Sequence, residues 1–145
     1  MAIDRSFQAG NTRERERLGA LVGRMSDADL TRSVGHGWTV AAALVHLAFW
    51  DLRAVRLMDQ YERSGVTPSP VDVDVVNDTL HALAQGIPPR AAARLAVDAA
   101  ERVDRRLESF SDRLLEAVVN AKRPFNPERH VHRAEHLDEI ERALR

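Results

Sequence analysis

Three of the chain's six histidines fall in one seven-residue stretch, "HVHRAEH" at residues 130–136. His132 and His136 are four apart, and on a helix that spacing puts both rings on one face, about 6 Å from each other. Imidazoles so placed can share a divalent ion, because Zn, Ni, Fe, Mn and Co all accept imidazole nitrogen at about 2.0–2.2 Å. Two ligands hold an ion poorly, so a third is required. His46 is the best candidate. It stands in "AAALVHLAFWD", the most apolar stretch of the chain, where an imidazole without a partner costs about 1–3 kcal/mol. A metal ion would satisfy it, and so would a backbone carbonyl or Asp51. Three protein ligands with open positions left over is the pattern of reactive metal centres. Against it stands a plainer reading, a solvated surface pair and a core histidine held by ordinary hydrogen bonds.

The other histidines carry weaker signals. His130 is two residues from His132 and faces elsewhere, at the helix start or the surface. His36 sits in a glycine turn and reads as structural or exposed. His81 follows Asn77 by four residues, so the two could line a cavity, although a surface position is the simpler assignment.

"HRAEH" also fits H-x-x-E-H, the inverted zinc-protease motif, with Glu135 as general base. That reading is set aside, because such enzymes take a third ligand well downstream and only the segment "LDEIERALR" follows His136. Glu135 lies about 100° around a helix from His136. It is expected to face solvent or to pair with Arg133 or Arg142.

Composition narrows the chemistry. The chain has no cysteine, so a metal must be held by imidazole and carboxylate, and any thiol must arrive with a substrate. The formal net charge of −1 and the lack of a basic stripe argue against nucleic acid and anionic membranes as partners. No apolar run approaches the roughly 18 residues of a membrane span. The start "MAIDRSFQAG" shows no signal pattern, and a cytoplasmic protein acting on a small molecule is expected.

The elements that must position these residues are helical throughout, with Ala, Leu, Arg and Glu dominant. A first helix is expected over Ser6–Met25, with Leu18, Leu21 and Val22 on one stripe. Ser26 and Asp29 read as a capping box opening a short helix through Leu30. The glycines of "SVGHGWTV" break the pattern. Thr39 then caps a second helix from Val40 to about Ser64, apolar nearly all round in its first half. Its second half carries Asp51, Arg53, Arg56, Asp59, Glu62 and Arg63, and is expected to emerge into solvent. A third helical region starts near Val71 and breaks at "QGIPP". Pro89 opens its continuation, where Leu95, Val103 and Leu107 supply apolar positions. Ser111 caps a short turn, and a last helix runs from about Glu128 to the end, with Val131, Leu137, Ile140 and Leu144 apolar. Together they predict one all-α domain over residues 1–145, a four-helix bundle.

Two motifs in this order resemble the DinB-like family. "GWTVAAALVHLAFWD" is similar to that family's tryptophan–Ser/Thr helix entry, with the metal histidine eight residues after the tryptophan. "HRAEHLDEIERAL" is similar to its closing H-x-x-x-H motif. The resemblance covers nearly the whole chain. It implies an up-down-down-up bundle, a divalent ion at one end held by His46, His132 and His136, and a homodimer. It further implies a thiol-dependent transferase or isomerase that uses mycothiol, bacillithiol or glutathione, as in mycothiol-dependent maleylpyruvate isomerase.

Such a site suits thiol chemistry, since a 2+ charge deprotonates a bound thiol at neutral pH. Water would be activated in the same way, so a metal-dependent hydrolase is the competing enzyme reading. A non-catalytic helical dimer with an empty or structural histidine site is the alternative from a different class. Groups that would orient the imidazoles are Asp51, at a poor angle five residues from His46, and then Glu135 and Asp138. Arg53 lies about two turns beyond His46 and could meet a carboxylate substrate, although a solvated helix charge is the simpler assignment. Trp38 and Trp50 could wall the pocket, although core or interface positions are commoner for such aromatics.

Overall fold

The computed structural model describes residues 3–145. Seven α-helices and one two-stranded hairpin follow in the order α1 (Phe7–Arg24), α2 (Asp27–Leu30), β1 (Ser33–Gly35), β2 (Trp38–Thr39), α3 (Val40–Ser64), α4 (Val73–Ala84), α5 (Pro89–Ser109), α6 (Asp112–Asn120) and α7 (Arg129–Ala143). The local signals act as expected. Ser26 and Asp29 form a reciprocal capping box on α2, the Thr39 hydroxyl accepts from Ala42 N at 3.0 Å, and Ser111 accepts from Leu114 N.

Contacts between helices fix their directions. Asn11 reaches Pro127 and the His130 amide, while Arg17 further along α1 reaches Asp138 and Glu141, so α1 and α7 run parallel. Ala41 and Ala42 pack in one cluster with Ala92, and Asp59 and Glu62 bind Arg106, so α3 and α5 are also parallel. Arg15 meets Asp104 whereas Arg90 meets Met25 O and Asp27, which sets α1 antiparallel to α5. His46 meets His132 and Asp51 meets Arg129, which sets α3 antiparallel to α7. The four long helices therefore form an up-down-down-up bundle, with α4 inside the crossover between the two parallel down helices.

The interior is layered. Leu18, Leu21, Leu30, Leu44, Leu47, Ala96, Leu137 and Ile140 fill one end. Met58, Tyr61, Val103, Leu107, Phe110, Leu115 and Phe125 fill the other. Between them lies a buried polar layer that includes Asn11, Asp51, Asp104, Arg129 and Arg133.

Three expectations are corrected. The second half of α3 does not emerge into solvent: Asp51, Ala54, Val55, Leu57, Met58 and Tyr61 are all buried, and only the opposite face carries exposed charge. Leu95 and Val131, expected as apolar packing positions, are 41% and 51% exposed, because the buried stripes of their helices run through neighbouring positions instead. The segment between α2 and α3 is not a plain break. It folds into the β1–β2 hairpin, whose turn places Gly35, His36 and Gly37 in succession at φ 107°, 54° and 80°. Two glycines tolerate that left-handed backbone without cost from a Cβ, and histidine is among the residues that adopt it more readily than most.

Candidate metal centre

α3 supplies His46 from its buried first half, and α7 supplies His132 and His136 from one face. The ring centroids form a nearly equilateral triangle: His46–His132 4.9 Å, His46–His136 4.7 Å and His132–His136 4.8 Å. One ligand nitrogen from each ring lies within 4.8 Å of the others. A single ion bonded at about 2.0–2.1 Å to each nitrogen needs only small ring rotations from there. The closest pair is His46 Nε2 and His132 Nε2, at 2.9 Å.

The electrostatics keep His46 and His132 neutral. Burial, followed by the neighbouring His136, pushes His46 down to about 4, with the Asn77 side chain opposing. Burial also dominates at His132, and the charges of His136, Arg129, His46 and Arg133 add to it, bringing the group to about 2. A metal competes with protons for imidazole lone pairs, so a ring held neutral is a ring ready to ligate.

His136 has the one carboxylate partner. Its Nδ1 lies 3.2 Å from Glu139 Oε2. A proton on Nδ1 donated to that carboxylate fixes the tautomer and leaves Nε2 with its lone pair free. Neither Asp51, Glu135 nor Asp138 orients an imidazole. Asp51 is bound by Arg129 and Arg133, Asp138 by Arg17, and Glu135 is exposed. The third histidine of the cluster comes from α3, upstream, so the H-x-x-E-H protease arrangement is not assembled.

A cavity of about 430 Å³ opens beside His46 and His136. Its walls include Val34, His36 and Trp38 from the hairpin, Asn77 and Asp78 from α4, and Glu139 and Arg142 from α7. Trp38 stands edge-on to His46 at 5.8 Å, and Trp50 at 6.4 Å. Trp50 Nε1 donates to Asn77 Oδ1 at 3.4 Å, tying α3 to α4 beside the site. Of the residues expected nearby, His46, His136, Trp38 and Asn77 meet at this cavity. The His81 ring turns to the hairpin instead: its Nε2 bonds Gly37 O at 2.9 Å and steadies the turn. Arg53 is not a free charge in solvent. It binds Pro124 O and Ser69 and joins two loops. His130, at the helix start, packs its ring against Gly10.

Glu139, Arg142, Asp78 and Val34 were not expected at the site. Glu139 was legible in principle, being one helical turn from His136. Arg142 follows Glu139 by three residues on the same helix, whereas Val34 and Asp78 are brought there by the hairpin and the crossover, which no local spacing encodes.

A family model described as the DinB superfamily matches residues 11–137. The chain belongs to the DinB superfamily. The matched span holds all three histidines of this DinB protein's cluster together with the hairpin, α4 and most of α7. Searches of curated proteins and of solved structures returned no match. Among the described residues, no helix of this DinB protein is long and apolar enough to cross a membrane.

Proposed function

We propose that this DinB protein holds one divalent first-row ion through His46, His132 and His136, and acts on a low-molecular-weight thiol of the mycothiol or bacillithiol type, as a transferase or as an isomerase of a thiol adduct. The observation that carries the metal assignment is the triangle of three imidazoles with a cavity on one side. The donor set fits: all nitrogen, no thiolate, three in number, which suits Zn, Ni, Fe, Mn or Co and leaves positions for a substrate.

When bound, a 2+ ion there would supply the Lewis acidity that ionises a thiol at neutral pH. The chain's own residues do the rest. Glu139 holds His136 in one tautomer. Trp38, Val34 and Ala43 give the cavity an apolar wall that limits water, and Arg142 places a cation at its rim. The thiol itself must come from a cosubstrate, since the chain has no cysteine. The thiol class rests on family analogy alone.

The homodimer belongs to the same proposal. Val71, Val73, Val75 and Leu83 are exposed on and just before α4 and offer apolar surface for it.

The test is a titration of Co(II)-loaded protein with mycothiol, bacillithiol and glutathione, followed in the visible spectrum. A saturable change with one of them supports the reading. No change with any thiol, in protein that holds its metal, leaves the metal site standing and removes the thiol assignment.

A further inference from the structure

The half of α7 that carries the ligands is docked almost without apolar packing. Its buried residues are Arg129, Arg133, Leu137 and Ile140, and both apolar ones lie beyond His136. From Arg129 to His136 the inward positions are two guanidinia and two imidazoles.

Arg133 is 1% exposed and reaches three other helices. Its Nη1 and Nη2 grip Asp104 on α5 at 3.0 and 2.8 Å. Nη2 also lies 3.4 Å from Asp51 on α3 and 3.3 Å from Ala100 O. Nη1 donates to Asn11 O on α1 at 3.1 Å. Asp51 takes a second partner, Arg129 Nε at 2.8 Å, and Asp104 takes Arg15 Nη1 at 2.8 Å. Three guanidinia thus share two carboxylates, and among the described residues Arg133 Nε and Arg129 Nη2 find no acceptor.

We propose that Arg133 is a positioning residue for the histidine cluster: its fork sets the rotation and height of α7 so that His132 and His136 meet His46. Arg133 is adjacent to His132, and Asp51 lies one and a half turns beyond His46 on α3. A clamp between Arg133 and Asp51 therefore fixes the two ligand-bearing helices against each other at the level of the site. Apolar contacts tolerate sliding, whereas a planar fork on a buried carboxylate accepts one orientation. The inference rests on the metal reading above.

The surplus guanidinium makes the idea testable without wrecking the fold. Arg133→Met leaves Asp51 with Arg129 and Asp104 with Arg15, two closed pairs, and removes a donor that lacks an acceptor. Removing one partner of a buried ion pair is costly when the other is left uncompensated, but here each carboxylate keeps a second guanidinium. Co(II) binding and its visible spectrum are measured for wild type, Arg133→Met, Arg133→Lys and Arg106→Met, with helicity and urea midpoints alongside. Arg106→Met is the control, since Arg106 bridges α3 and α5 far from α7. The expected result is wild-type helicity in Arg133→Met, Co(II) affinity at least tenfold weaker and an altered spectrum, no rescue by Lys, and an unchanged site in the control. If Arg133→Met does not fold, Asp51→Asn is read in its place. A folded variant with wild-type affinity and spectrum overturns the positioning role, as does rescue by Lys, which would assign the effect to charge. Wild-type protein that takes up no Co(II) overturns the metal reading itself, and the inference with it.

Discussion

His46 and His132 stand 86 residues apart in the chain, yet their Nε2 atoms lie 2.9 Å apart. Two imidazoles facing each other through these atoms can share a single proton, or both can give their lone pairs to one cation. The second arrangement suits a pair of rings that their surroundings keep uncharged, because both lone pairs are then available.

Metal binding should therefore stabilise the fold. A ligand at 100 times its Kd adds about 2.7 kcal/mol, and for a chain of this size each kcal/mol moves Tm by about 2–4 °C. Scanning calorimetry of loaded and chelator-stripped protein should show stripped protein melting roughly 5–10 °C lower. Equal melting temperatures would mean that the ion is not held by the folded bundle.

Among the described residues, Glu139 is the only carboxylate bonded to a ring of the cluster. Glu139→Gln should weaken metal affinity by about 10- to 100-fold, the usual cost of losing such a partner. Competition against a chromophoric chelator reads this directly. Helicity should not change, because Glu139 is only half-buried.

The metal-free protein should lose stability in mild acid. His46 is held down to about 4 and His132 to about 2, against about 6.5 in the unfolded chain. As pH falls through 6.5 the unfolded state takes up protons first, so folding becomes less favourable between about pH 6.5 and pH 4, by at most on the order of 3 kcal/mol for His46. Above pH 6.5 these two groups contribute no slope. Urea midpoints across pH should follow this course, and the double variant His46→Ala, His132→Ala should flatten it.

The N-terminal end of α7 leans on a gap in α1. A Cβ at Gly10 would sit 2.7 Å from His130 Cδ2 and 2.9 Å from Cγ. Gly10→Ala should displace that ring and cost about 1–3 kcal/mol, the range for overpacking. His130→Ala in the same chain should recover most of it in thermal melts. An additive double variant would place the strain elsewhere.

Much of this arrangement was legible in the sequence. Helix ends were set by local chemistry, the caps Ser26, Thr39 and Ser111 and the breaker Pro89, and such chemistry reads directly. The three histidines were legible because two share a helical face and the third sits where an imidazole is costly. The polar layer was not. Asp51 read as the start of a solvent-facing half-helix, but its partners Arg129 and Arg133 lie some 80 residues on, and only tertiary pairing explains why charge is buried there. The same holds for Arg53, whose acceptors are loop carbonyls. The cavity wall depended on a hairpin turn of three left-handed residues, where the glycines announced a break but not its shape.

The most direct test is the metal content of protein purified without a histidine tag, by elemental analysis, beside the triple variant His46→Ala, His132→Ala, His136→Ala. The account predicts close to one divalent ion per chain in the wild type and none in the variant. A wild type that stays metal-free after supplementation with Zn, Ni, Mn and Fe(II), or a variant that keeps its metal, would contradict it.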